Sequence, residues 1–405
     1  MLIRLPVLLL CVLLLPRLTA QAEVRMTHGP LPTQAPLVPH RAYPTYGHYE
    51  RIMYALADRY PRRCRVEEWG TLPSGRRILA LRLAAPGRRS RPQVHCSAAM
   101  HGDETGGYWV LLRLAEHLLA ENPGGLLGDV VVYINPLANP DGTYLGGNHT
   151  VAGAQRGNTA GVDLNRNYPD PDDGPHPDGH AYQPETLIFM RAAREHSFDL
   201  GINLHGGAEL FNYPWDTYRH RHPDNEWWRR VSREFANRAQ RASPGVDYFV
   251  DRHNGVTNGH DWYPIAGSRQ DYMNYYHRCR EATVEISMAK IFPARELPEL
   301  WDRLRPALLG YLNEARLGIH GTVTDHYTGR PLRALVTIDD HDRSNSAVYS
   351  NERDGRFYRY LAAGRYRLRI IAEGYAPQFL SVTVRDGQRT EVQTALRPSA
   401  VPARK

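Results

Sequence analysis

Lysine is almost missing from this chain: of fifty basic residues, set against forty-three acidic ones, only Lys290 and Lys405 are lysine. The formal charge of +7 is carried by arginine. Those arginines are scattered among acids without aromatic residues interleaved on one element, which argues against nucleic acid as a partner. Cysteine is scarce too. Cys11 falls in an apolar leader, and the odd set Cys64, Cys96 and Cys279 allows at most one bridge and no disulfide framework. Long apolar runs are also lacking. The one candidate, Leu5 to Leu15, follows Arg4 and is bounded by Pro16, whereas a membrane span needs roughly 20 residues. Stable membrane insertion is therefore not expected. With Ala20-Gln21-Ala22 offering small residues for cleavage, residues 1–22 read as a secretory signal peptide, and the mature protein is expected to be secreted or periplasmic.

What is present is an ordinary globular composition, 42% hydrophobic and 23% charged over 405 residues, long enough for more than one domain. Residues 23–44 form a Pro-rich leader without periodicity, expected to be exposed. Strands and helices then alternate over 45–316. Arg65 to Leu83 reads as a hairpin turning at Pro73-Ser74-Gly75. Pro92–Met100, Asp129–Asn135, Asp199–Leu204 and Cys279–Ile286 read as buried strands, and Thr105–Ala120, Glu185–His196, Asn225–Arg241 and Leu297–Leu317 as helices. The pattern implies an α/β domain, a mixed and mostly parallel sheet with helices on both faces. From 317 to 397 short alternating runs such as GIHGTVTD, GRFYRYL and LSVTVRD carry no helix signal and imply a small antiparallel β-sandwich; 398–405 is expected to be a disordered tail.

Ligands in such sheets gather at the carboxyl ends of strands. His101 and Glu104, in the HGDE turn after the apolar run 94–100, stand three positions apart at such an end, and His205 in LHGG stands at another. Two imidazoles and one carboxylate leave a fourth tetrahedral position for water, the pattern of a catalytic rather than a structural zinc site. Hydrolysis at a metal also needs a base that takes a proton from water and returns it to the leaving amine. Glu285, flanked by Val284 and Ile286, fits that task, although a strand-end acid in apolar surroundings also fits a buried salt bridge.

MHGDE, NPDG, RGNTAGVDLNRNYPD, LHGGAELFNYPWD, WYPIAGSRQDY and CREATVEIS follow one another in this order over residues 100–287. In order and spacing they resemble the zinc metallocarboxypeptidases of the carboxypeptidase N/E type, which carry a transthyretin-like domain after the catalytic one. The resemblance implies one zinc per chain on His101, Glu104 and His205, with Glu285 as general base. It implies that Arg156 stabilises the oxyanion, that Asn165 and Arg166 clamp the substrate's C terminus, and that Tyr263 closes over it. It places Asp216 where that type pairs a basic side chain, and Gln270 at the pocket floor, so that the expected substrates are peptide or protein C termini ending in Lys or Arg.

One departure stands out. Where the type reads GGMQDYNY this chain reads GSRQDYMNY, and an Arg269 that reached Asp216 would neutralise the pocket. Two rival readings reuse the same residues: a hydrolase of cell-wall stem peptides or N-acyl amino acids with the same three ligands, and an inactive binding protein. The complete clamp and the sandwich disfavour the first, and the complete set of ligands and base disfavours the second. No partner for the sandwich follows from the sequence.

Overall fold

The structure is a computed structural model that describes residues 24–27, 29, 31, 36–87 and 90–399. The expected signal peptide at 1–22 and the tail beyond Ser399 lie outside them. The second half of the proline-rich leader is not exposed, contrary to its composition. Leu37, Val38 and Tyr43 are buried, and Trp109 Nε1 donates to the Pro39 carbonyl at 2.7 Å. Aromatic and aliphatic side chains here cover the Thr105–Glu121 helix, a gain in apolar burial that the lack of periodicity concealed.

An eight-stranded sheet forms the first unit, in the spatial order Cys64–Thr71, Arg77–Leu83, Val131–Asn135, Gln93–Ala98, Leu200–His205, Arg280–Ser287, Ala208–Tyr213, Val256–Asn258. Its middle four strands run parallel, an antiparallel strand adjoins them on each side, and Val256–Asn258 pairs parallel with Ala208–Tyr213 at the edge. The parallel strands are buried on both faces, which is why they read as near-continuous apolar runs. Helices Tyr46–Arg59, Thr105–Glu121, Asn225–Arg241 and Leu297–Glu314 pack into one core and Pro184–His196 and Arg269–Tyr276 into a second.

Asn225–Arg241 shows why the sequence folds this way. Trp227, Trp228, Val231, Phe235 and Ala239 recur on one face and are buried, each large side chain contributing about 1.5–3 kcal/mol. The Thr105–Glu121 helix approaches the sheet closely at Gly107, where a Cβ would lie 2.9 Å from that of Leu204 and 3.0 Å from that of Ala98. That approach holds the Glu104 end of the helix against the ends of two strands.

The second unit has two small sheets. Leu335–Ile338, Gly364–Ile371 and Gln378–Val384 pair antiparallel with the short Val348–Tyr349 at the edge. In the other sheet Gly318–Asp325 pairs antiparallel with Arg356–Arg359 but parallel with Arg389–Leu396, so the sandwich is mixed rather than wholly antiparallel. The last strand returns beside the first in parallel register. Ile319, Val323, Val336, Phe357, Leu368 and Ile370 fill the space between the sheets. The two units are locked together by a buried charge cluster. Asp224 accepts from Arg280 at 2.8 Å, from Arg359 at 2.6 Å and from His341 at 2.8 Å, and Trp227 stacks on Tyr360.

Candidate active site

Strand register brings the expected chemistry to one place. In the parallel ladder Glu285 pairs with His205, one strand from the Gln93–Ala98 end that leads into the HGDE turn. The turn itself requires glycine: a Cβ on Gly102 would meet the Gly142 carbonyl carbon at 2.3 Å and the Thr143 nitrogen at 2.4 Å. His101 and Glu104 are thereby carried back over the strand ends.

His101 Nδ1 lies 3.0 Å from Glu104 Oε1, His205 Nδ1 lies 3.0 Å from Glu104 Oε2, and the two Nδ1 atoms are 3.1 Å apart. All three residues are buried, and one ligand atom from each lies within 4.8 Å of the others. The donor set fits zinc: two imidazole nitrogens and a carboxylate converge, with open space beside them. The outer ring atoms fit as well. His101 Nε2 is 3.0 Å from Asp163 Oδ1, and His205 Nε2 is 2.6 Å from the Asn203 amide, contacts of the kind that orient metal-binding histidines. Burial raises the cost of a charge on Glu104, yet the two histidines outweigh it and hold the carboxyl well below its usual range. Burial pulls His205 down to about 4, keeping its ring neutral as a ligand requires.

Glu285 is half-buried, and its Oε2 is shielded from solvent with no hydrogen-bond partner among the described residues. Burial, then the charge of Glu104, pushes its carboxyl up to about 8. The salt bridge left open by the sequence is not formed among the described residues. Arg156 reaches the same centre: Nη1 is 3.1 Å from His101 Nδ1 and 3.4 Å from Glu104 Oε1, while Nη2 is 2.9 Å from Asp163 Oδ2.

A cavity bounded by His101, His205 and Glu285 is also bounded by Arg156, Asn165, Arg166, Asp216 and Tyr263. Arg166 donates to the Asn165 carbonyl at 2.8 Å, and Asn165 Oδ1 accepts from the Arg269 backbone at 2.9 Å. Tyr263 is 47% exposed at the edge of the cavity. Asp216 is buried and accepts from Asn212 at 3.0 Å and from Gln270 Nε2 at 3.1 Å, and Gln270 Oε1 in turn accepts from Thr283 N at 2.7 Å. Burial raises the Asp216 carboxyl, against the pull of hydrogen bonds from Ser268 and Asn212. Arg269 does not reach it. The guanidinium is fully buried, with Nε 2.7 Å from Glu281 Oε1 and Nη2 2.5 Å from Ser97 Oγ.

Three site residues escaped the sequence reading. Asp163 caps the turn before Asn165 and buttresses both His101 and Arg156; an acid two positions before the clamp asparagine was the signal. Asn203 stands two positions before His205 and so on the same strand face. Lys290, one of two lysines in the chain, places Nζ 3.0 Å from Glu104 Oε1.

Comparison with known proteins agrees with this geometry. Residues 49–307 match the zinc carboxypeptidase family and residues 318–397 the carboxypeptidase regulatory-like domain. The catalytic chain of carboxypeptidase N from Homo sapiens is 31% identical over 416 residues, covering 89% of this chain and 87% of that one. Carboxypeptidase D from Drosophila melanogaster is 30% identical over 383 residues, covering 88% of this chain but 27% of that one, so this chain spans about a quarter of its length. Among solved structures, bovine thrombin-activatable fibrinolysis inhibitor superposes with a TM-score of 0.59 at 16% identity, over 68% of this chain and 98% of that one. Carboxypeptidase A from Helicoverpa armigera gives 0.57 at 20% identity, over 67% and 74%. Likeness at that level of identity concerns the fold alone, but the matches over most of the sequence go further: this chain belongs to the zinc carboxypeptidase family.

Proposed function

We propose that the protein is a secreted or periplasmic carboxypeptidase that binds one zinc ion and releases a C-terminal Lys or Arg from peptides or proteins. Zinc, when held by His101, Glu104 and His205, supplies a Lewis acid that activates water and polarises the scissile carbonyl. Glu285 takes the proton from the attacking water on its unpartnered carboxylate and returns it to the leaving amine. The Arg156 guanidinium faces the same centre and stabilises charge developing on the carbonyl oxygen. Arg166 and Asn165 bind the terminal carboxylate, for which a planar guanidinium is the best-matched side chain, and Tyr263 closes over it. The apolar leader supports export, and no helix among the described residues is long and apolar enough to cross a membrane.

The observation that carries the basic preference is the state of Asp216. Its side chain bounds the cavity, its neighbours Asn212 and Gln270 are neutral, and Arg269 is engaged with Glu281 instead. A substrate ammonium or guanidinium entering the cavity therefore meets an unneutralised acid. A panel of peptides differing only in the last residue tests this, with a C-terminally amidated control. Faster release of Arg and Lys than of Leu and Phe, and no release from the amide, is expected; equal rates across the panel would remove the pocket assignment.

A further inference from the structure

A groove of about 980 Å³ lies between the two units, on the side of the sheet away from the metal ligands. Its floor includes Gln93, Val131, Asp199 and Arg280, which stand at or next to the amino ends of the parallel strands, whereas His205 and Glu285 stand at or near the carboxyl ends. A strand of six residues spans about 17–20 Å, so the groove is not an extension of the substrate cavity. Its far wall comes from the sandwich, at Arg333 and residues 348–354. The Asp224 cluster fixes the two walls to each other, so the groove is a built feature of the docked pair.

Charge in this groove is lopsided. Nine arginines line it against four carboxylates, Glu195, Asp199, Glu352 and Asp354. Arg65, Arg280, Arg333 and Arg356 have an acid partner. Arg82, Arg91, Arg194, Arg278 and Arg353 have no carboxylate oxygen within 4.0 Å among the described residues, though Arg82, Arg91 and Arg278 are hydrogen-bonded to neutral oxygens. The crowding is felt by its members: burial and then Arg82 lower Arg91, and burial followed by Arg194 and Arg278 pulls His277 down to about 4. An anion would relieve that repulsion.

The arrangement also selects among anions. Guanidinium groups match the tetrahedral oxyanions of phosphate and sulfate, and a groove at the upper end of the roughly 300–1,000 Å³ range of ligand sites holds several such groups rather than one. Two of the aromatic faces that bases would stack on are taken: Arg278 and Arg333 lie 4.9 and 4.0 Å from the Tyr349 ring centre, and Arg82 lies 6.0 Å from that of Tyr133. We propose that the groove binds an oligoanion of sulfate or phosphate groups on a carbohydrate backbone, and so docks the enzyme to an anionic glycan at a site remote from catalysis.

The test measures binding of a fluorescent, heparin-derived sulfated octasaccharide to the full chain at low and moderate salt. It compares wild type with R82S/R194S/R353S and with the charge-matched control R51S/R241S/R385S, whose arginines lie outside the groove. Arg194 and Arg353 are exposed, so R194S/R353S serves as a second variant if the triple one does not fold. A loss of tenfold or more in the groove variant, less than twofold in the control, and unchanged peptide cleavage in both is the expected result. Equal losses in the two variants would reduce the effect to net charge and overturn the proposal. So would a single-stranded oligonucleotide of equal charge that binds as tightly with the same variant dependence, or inorganic sulfate that competes at the octasaccharide's own concentration.

Discussion

Arg269 and Glu281 form a fully buried ion pair, Nε to Oε1 at 2.7 Å, with the guanidinium 4.5 Å from the Phe189 ring centre and His95 on the other side of the glutamate at 3.7 Å. The substitution that threatened the specificity pocket instead ties the start of the Arg269–Tyr276 helix to the sheet. Its backbone N–H holds Asn165 while its side chain, through Ser97 and Asn203, reaches the outer nitrogen of His205. Replacing Arg269 by Met strands a buried glutamate, and removal of one partner of a buried pair costs about 3–5 kcal/mol. Urea denaturation should show that loss, partly recovered in R269M/E281Q. The ratio of rates for Arg-ending and Leu-ending peptides should stay unchanged in whatever folded enzyme remains; a rise in basic preference would mean that Arg269 screens Asp216 after all.

Asp216 carries the complementary prediction. A charge-assisted hydrogen bond contributes about 1.5–3 kcal/mol, so Asp216→Asn should lower kcat/KM for Arg-ending and Lys-ending peptides roughly 10- to 150-fold. Leu-ending peptides should change little, because Asn212 and Gln270 can still pair with the amide. A uniform fall across the panel would point to collapse of the pocket rather than loss of selection.

Local chemistry was legible where it rests on short spacing, and hidden where it rests on long loops. His101 and Glu104 declare themselves within one turn, and the Asn225–Arg241 helix shows its apolar face at helical intervals. The Tyr46–Arg59 helix is legible only in its second half, where Ile52, Met53 and Leu56 recur at helical spacing; its first turn buries Tyr46, His48 and Tyr49, which carry a weak hydropathy signal next to a proline-rich stretch. Ala208–Tyr213 gives no clear strand signal because its first two residues, Ala208 and Glu209, are half-buried and one is charged; its pairing with Arg280–Ser287 supplies the order. Arg269 and Ser97 are 172 positions apart, and no periodicity could have joined them.

Glu285 and Asn203 separate catalysis from metal retention. In the proposed mechanism Glu285 carries the proton and is no metal ligand, so Glu285→Gln should lower kcat roughly 10²- to 10⁴-fold while elemental analysis still finds about one zinc per chain. Asn203 touches His205 but does not line the cavity, so Asn203→Ala should weaken zinc about 10- to 100-fold in chelator competition, with activity restored by excess metal. Near-normal turnover in the first variant would reassign the base, and unchanged zinc affinity in the second would make Asn203 a bystander.

Acid stability should depend on Glu67. Burial alone would raise its carboxyl, but His196 at 3.2 Å and Arg65 at 2.6 Å outweigh that and hold it at about 2 in the folded protein. The unfolded chain binds this proton at the ordinary value of 4.5, so between there and about 2 the unfolded state carries more protons than the folded one. Stability contributed by Glu67 is therefore complete above pH 4.5 and disappears as the pH falls through 2. Arg65 is 62% exposed and screened by solvent, so the contribution is about 1–2 kcal/mol rather than the larger figure the full shift implies. Glu67→Gln should lower the free energy of unfolding by that amount at pH 6 and leave it equal to wild type near pH 2. A gap that persists unchanged at pH 2 would assign the effect to packing rather than to the ion pair.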